Sequence, residues 1–184
     1  MRFRQTGFTM VELIVVMIII GVLSAVGLAR FIDRKGFDAD EFVAQTKSIL
    51  RYGQKVAIAQ NRPVYVRLNG ASIALCFDSA CASANRVQAP GGTNTGSSAT
   101  LAACSNDSKW QCEAVPANVS YSLEPSAPYS GTNNYFYFDA LGKPYAAADA
   151  TTSATSTFKK LTITIAADSA TRSIGVETET GYVH

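Results

Sequence analysis

The chain has 184 residues, a formal net charge of +2 and 47% hydrophobic residues, enough for one modest domain plus an extension and ordinary for a protein that buries a core. So small a net charge does not imply nucleic acid or an acidic surface as an obligatory partner, because binding polyanions takes clustered cations. In chain order, MRFRQTG is a short polar, basic leader, and FTMVELIVVMIIIGVLSAVGLA follows as an apolar run from Phe8 to Ala29 whose single charge is Glu12. As a helix that run would be roughly 33 Å long, about the thickness of a bilayer core. Arg2 and Arg4 precede it, so the positive-inside bias predicts a cytoplasmic N-terminus and an exported remainder after about residue 30. A secretory signal peptide cut near Ser24 to Gly27 and an uncleaved signal anchor are the standard alternatives. Neither explains an acid inside the apolar run.

Past the membrane, Phe37-Asp38-Ala39-Asp40-Glu41-Phe42 has the order of a helix start, with Asp38 as N-cap, Glu41 closing a capping box and Phe37 stapling to Phe42. Phe42, Val43, Thr46, Ile49, Leu50, Gly53, Val56 and Ala57 then recur at helical spacing, with Lys47, Arg51 and Lys55 off the stripe. Gly53 costs about 1 kcal/mol of helix propensity and permits a sheet to approach closely. Lys35-Gly36 between the two helical stretches is a candidate bend. Pro63 ends the helical pattern, and residues 64–68, Asn69-Gly70 and residues 71–77 read as a hairpin whose turn residues both accept positive φ. Further strands are expected at Val119 to Leu123, Tyr135 to Asp139, Leu161 to Ala166 and Ile174 to Thr178. The stretches Pro90 to Thr100 and Ala146 to Thr157 are small and polar, with little to bury, and read as surface loops.

These elements predict an α+β fold: a long N-terminal helix, half membrane and half amphipathic, packed on an antiparallel β-sheet or sandwich head. The expected divisions are a leader at 1–7, a transmembrane helix at 8–29, an amphipathic helix at 30–62 and a β-rich head at 63–184. The four cysteines, Cys76, Cys81, Cys104 and Cys112, all fall in the exported part, where an oxidising compartment favours disulfides. Three pairings are open; ready closure of short loops favours Cys76–Cys81 with Cys104–Cys112. A four-thiolate zinc site is disfavoured because the second pair is too widely spaced.

Gly7-Phe8-Thr9-Met10-Val11-Glu12, at the cytoplasmic edge of the apolar run, resembles the prepilin motif of type IV pilins and type II secretion pseudopilins. The resemblance implies that a membrane-embedded prepilin peptidase cuts after Gly7 and methylates the new amine of Phe8. It also implies that Glu12 meets the N-terminal amine of a neighbouring subunit. A carboxylate in lipid costs about 2.5 to 3.5 kcal/mol on translocon scales and demands such a partner. The partners implied are the peptidase, other pilins or pseudopilins through the N-terminal helix, an inner-membrane assembly platform and the bacterial inner membrane itself, with the head in the periplasm before it enters a pilus or pseudopilus.

Ser48 to Val66, Phe138-Asp139-Ala140-Leu141-Gly142-Lys143-Pro144 and the ending Glu179-Thr180-Gly181-Tyr182-Val183-His184 look like the GspH/FimT family of minor pilins and H-type pseudopilins, and within it most like minor pilins of the mannose-sensitive haemagglutinin (MSHA) system. Many major pilins carry a proline near the end of the membrane helix, whereas none occurs here between Phe8 and Arg62; Gly21 and Gly27 are the candidate soft points instead. Cys112 is the last cysteine, so the C-terminal disulfide loop common in major pilins is missing, which favours a minor subunit.

No enzyme is expected, and no cofactor or metal. The single histidine, His184, is the last residue, and no nucleophile elbow, dinucleotide fingerprint or P-loop is present. DNA capture, as in some FimT-like pilins, needs an exposed basic patch. The cations Arg67, Arg86, Lys109, Lys159, Lys160 and Arg172 are scattered and the tail carries Glu177 and Glu179, which argues against nucleic acid.

Overall fold

A computed structural model describes residues 9–31, 34–127, 129, 134–167 and 170–184. The chain divides into two units, residues 1–34 and 35–184. The first contains helix α1 (Met10–Phe31). Its start is set by Thr9, whose hydroxyl accepts a hydrogen bond from the Glu12 amide at 3.3 Å. That is the bond an N-cap threonine makes to the third helical residue, and Thr-x-x-Glu is the sequence signature of a capping box.

The second unit is the head, and it is α+β. Helix α2 (Arg34–Gln60) is followed by eight strands: β1 (Val64–Leu68), β2 (Ser72–Cys76), β3 (Cys112–Ala114), β4 (Ser120–Glu124), β5 (Tyr135–Phe138), β6 (Pro144–Ala146), β7 (Leu161–Ala167) and β8 (Ala170–Val176), with a short helix α3 (Ser98–Ala103) before β3. A five-stranded antiparallel sheet has the order β3-β2-β1-β5-β6, and a three-stranded one the order β4-β7-β8.

The helical stripe is buried as its spacing predicts. Phe42, Thr46, Ile49, Leu50, Gly53, Val56 and Ala57 are buried and Val43 is half-buried, while Arg51 and Lys55 face water. This side of α2 meets alternate residues of β1 and β7, both of which show the strict period of two expected of strands with one inner face. A methyl group on Gly53 would lie 2.9 Å from Leu75 Cδ2 of β2, so this glycine supplies the close helix–sheet approach. Thr46 is fully buried in the stripe, and its hydroxyl has no hydrogen-bond partner among the described residues. Thr46→Val keeps the shape and nearly the helix propensity but removes that unpaired group, so the head should gain about 1 kcal/mol. A higher denaturant midpoint at unchanged m-value checks this.

Five expectations need correction. Asp38 is not an N-cap: α2 is already helical from Arg34, through Lys35-Gly36. Phe37 is 75% exposed whereas Phe42 is buried, so no staple joins them. Asn69-Gly70 is not a two-residue turn with positive φ at both positions, because Leu68 pairs with Ile73, leaving four residues between that pair. Only Gly70 of the two has positive φ, and the Asn69 side-chain oxygen instead accepts from the amides of Ala71 and Ser72 at 3.0 and 2.7 Å. An asparagine that caps amides in this way competes with the backbone-only turn. Residues 90–100 are also not simply a polar surface loop. Asn94 and Thr100 are buried, and α3 begins within the segment, capped by the Ser97 side chain on the Thr100 amide. Finally, the second polar stretch starts inside β6 at Ala146 and is held by Asp149, which accepts from the Ala146 and Thr157 amides and the Thr157 hydroxyl. Burial pushes the Asp149 carboxyl up, and those three donors together outweigh it, holding it below the usual carboxylate range.

The strand expectations fall on β1, β2, β4, β5, β7 and β8 with shifted ends, whereas β3 and β6, of three residues each, are additional. Residues 179–184 return onto α2. The Arg51 guanidinium donates to the Val183 carbonyl at 2.9 Å, and the Gln54 amide donates to the carbonyls of Gly142 and Thr180 at 2.8 and 2.7 Å.

Candidate functional site

Every residue of α1 from Met10 to Ser24 is exposed, and twelve large apolar side chains among them range from 44% exposed at Val16 to 83% at Met10. A helix apolar on all sides belongs among lipid tails or other helices. Covering that surface is worth on the order of 10 kcal/mol or more, at about 1.5 to 3 kcal/mol per fully buried aliphatic side chain. Among the described residues no helix is long and apolar enough to cross a membrane.

Glu12 sits in the first turn of this helix. The macrodipole there favours an anion by typically 0.3–1 kcal/mol, less than burying an acid in lipid would cost. A cation brought to Glu12 by another chain would offset that cost. Gly7 and Phe8, the predicted cleavage and methylation residues, lie outside the described residues, as does the whole 1–7 leader.

The predicted cysteines come together in the head. Cys76 is bonded to Cys81 and Cys104 to Cys112, with Cα separations of 5.2 and 5.9 Å. All four are therefore oxidised and hold no thiolate for a metal. They form a second apolar cluster with Ala74 and Trp110, against which Tyr65 packs, separate from the core beneath α2. This explains why β2 is buried along its whole length: Ile73 and Leu75 belong to one cluster and Ala74 and Cys76 to the other. Trp110 donates its indole N–H to the Leu75 carbonyl at 2.8 Å, and the Arg86 guanidinium lies over its ring at 4.4 Å. Arg86 also pairs with Asp107 at 2.9 Å. That hydrogen bond, ahead of burial acting in the opposite sense, holds the Asp107 carboxyl below the usual carboxylate range.

Sequence reading missed a buried acid. Glu113 of β3, 4% exposed, accepts from the Thr95 amide and hydroxyl at 2.8 and 2.6 Å and from the Thr100 hydroxyl at 3.0 Å. Its signal in the sequence is slight, because the threonines lie in a stretch that composition assigns to solvent. Of the cations weighed as a basic patch, Arg86, Lys160 and Arg172 are paired with Asp107, Glu177 and Asp40. His184 stacks on Tyr182 and its Nε2 lies 3.0 Å from the Glu177 carboxylate, a surface pair.

Residues 2–28 match the family model described as the Prokaryotic N-terminal methylation motif. No curated protein matches the chain. Among solved structures, the type IV minor pilin FimU of Pseudomonas aeruginosa is similar at 11% identity and a TM-score of 0.46, over 82% of this chain and 87% of that one. The minor pseudopilin EpsH from the Type 2 Secretion System of Vibrio cholerae is similar at 10% identity and a TM-score of 0.47, over 80% of this chain and 94% of that one.

Proposed function

We propose that this chain is a prepilin: a filament subunit anchored in the bacterial inner membrane by residues 8–29, cut after Gly7, methylated at the Phe8 amine and then drawn by an assembly platform into a filament with other pilins. The observation that carries this reading is the match of residues 2–28 to the N-terminal methylation motif, which supports a processing site immediately before an apolar helix with an acid in its first turn. The chain is a structural subunit in this reading, not an enzyme. The finer assignment is a minor pilin of an MSHA-like type IV pilus, most similar to MshC; its support is the paired cysteines and the ETGYVH ending.

The test is mass spectrometry of the protein purified from membranes of a cell with an active prepilin peptidase. The expected N-terminus is N-methylated Phe8, with MRFRQTG removed. An intact Met1, or a cut between Ser24 and Gly27, overturns the prepilin reading. Recovery of the mature chain with type II secretion components and not with a sheared pilus would replace the MSHA assignment by an H-type pseudopilin while leaving the prepilin reading standing.

A further inference from the structure

We propose that residues 77–111 form a redox-sensitive cap on the head, in which the two disulfides hold two lobes closed over the outer face of the five-stranded sheet, and that reduction opens the lobes while the core beneath α2 stays folded. The head has two separate apolar clusters, and all four cysteines belong to the smaller one. Each bridge is local, with sequence separations of 5 and 8, so neither ties α2 to a sheet or one sheet to the other. Cys76–Cys81 closes a first lobe, residues 77–85, back onto β2. Cys104–Cys112 closes a second, residues 90–109, onto β3. Both lobes are anchored on neighbouring strands, since Ala74 pairs with Cys112 across β2 and β3.

The segment between the lobes is held differently. Val87 lies in the main core, its amide donates to the Leu75 carbonyl at 3.1 Å and its carbonyl accepts from the Gln111 amide at 2.7 Å. With the bridges cut this segment keeps its hydrogen bonds and its buried side chain. What then holds the lobes is Arg86 to Asp107, Glu113 to Thr95 and Thr100, and the small apolar cluster of Cys81, Cys104 and Trp110 on Ala74. Once a lobe opens, water can take over the polar partners among these. Covalent closure therefore matters most here. Chemically, each disulfide takes two electrons and two protons from a dithiol, giving two cysteine thiols and the oxidised disulfide of the reductant; a thiol–disulfide exchange protein of the exported compartment runs the same exchange in reverse to close the lobes.

Trp110 is the chain's one tryptophan, it sits between the lobes, and it reports their state without a label. The experiment takes the full chain in detergent micelles, treats it with dithiothreitol, and reads Trp110 fluorescence together with hydrogen exchange by mass spectrometry. On reduction, peptides within 78–85 and 97–109 should exchange at least tenfold faster and Trp110 emission should move to the red, while peptides from 42–57 of α2 and 161–167 of β7 stay within twofold. Reoxidation should restore the starting pattern. Paired substitutions separate the lobes: Cys76→Ala with Cys81→Ala should speed exchange in 78–85 alone, and Cys104→Ala with Cys112→Ala in 97–109 alone. Faster exchange in α2 and β7 along with the cap overturns the proposal, because the bridges then hold the whole head. Unchanged exchange in both lobes overturns it too, because the cap then closes without them.

Discussion

Replacing Gly7 with a bulky residue should leave the leader attached, whereas Glu12→Val should be cut normally and then be nearly absent from sheared filaments. The two residues act at different steps. A glycine before the scissile bond leaves the backbone free of side chain for the peptidase, so the Gly7 variant keeps its slower gel mobility and stays in the membrane. Glu12 lies beyond the cut, in a helix whose start is already capped by Thr9, and valine at this position costs only a few tenths of a kcal/mol of propensity. On the proposed pairing, what is lost is the acid that meets the Phe8 amine of a neighbour, and leaving one member of a buried ion pair alone costs about 3–5 kcal/mol, enough to reduce assembly more than a hundredfold. Glu12→Gln separates charge from capping, because an amide still suits the third position of a capping box but carries no charge. It should be processed and should fail to assemble like Glu12→Val. Filaments from either variant at parental yield would place Glu12 at the membrane interface and remove the pairing model.

The parts of this molecule visible in its sequence are those set by local period or local chemistry. The buried stripe from Phe42 to Ala57 follows from a spacing of 3.6, and Cys76–Cys81 and Cys104–Cys112 are the pairings that close the shortest loops. The misreadings have one cause, in that a local signal is overridden by contacts distant in sequence or by neighbouring structure. Asp38-Ala39-Asp40-Glu41 has the composition of a helix start, yet the helix extends back to Arg34 and Asp40 instead meets Arg172 at 2.8 Å, 132 residues away. Arg51 lies off the stripe and exposed, as its spacing predicts, and its guanidinium in addition holds the Val183 carbonyl. Residues 90–100 have the composition of solvated loop, yet Thr95 and Thr100 donate to Glu113, 18 and 13 residues on. Strands β3 and β6 are three residues long, too short for alternation to show, and β6 begins with a proline that argues against a strand until its place at the sheet edge is known. The Thr9–Glu12 cap is the opposite case: Thr-x-x-Glu is fully visible in the sequence, and the structure bears the cap bond out.

Gly181→Ala should destabilise the head by about 3 kcal/mol, far more than Gly175→Ala, although both glycines lie near the C-terminal strap. Gly181 has φ +63, a conformation strained for any residue with a Cβ, and a methyl group there would lie 2.5 Å from the Gly142 carbonyl oxygen, 2.7 Å from Gln54 Nε2 and 2.9 Å from Phe138 Cε1. The first of these is backbone in the β5–β6 turn, held by Asp139, whose side chain accepts from the Leu141 and Lys143 amides at 2.9 Å each, so it cannot move aside cheaply. The strap has to retreat instead. It then loses the Gln54 bond to Thr180 and the 2.9 Å Arg51 bond to Val183, and uncovers Val183, which is 1% exposed. Left-handed strain of about 1 kcal/mol and two hydrogen bonds at about 1 kcal/mol each give the expected total. At Gly175 the atoms in the way belong to the His184 imidazole, a side chain half in solvent that can rotate off, so the cost there should stay below about 1 kcal/mol. Urea denaturation of the two variants measures the difference directly. Equal midpoints would mean that the strap is not pinned at Gly181 and that the contacts of Arg51 and Gln54 contribute little to the stability of the head.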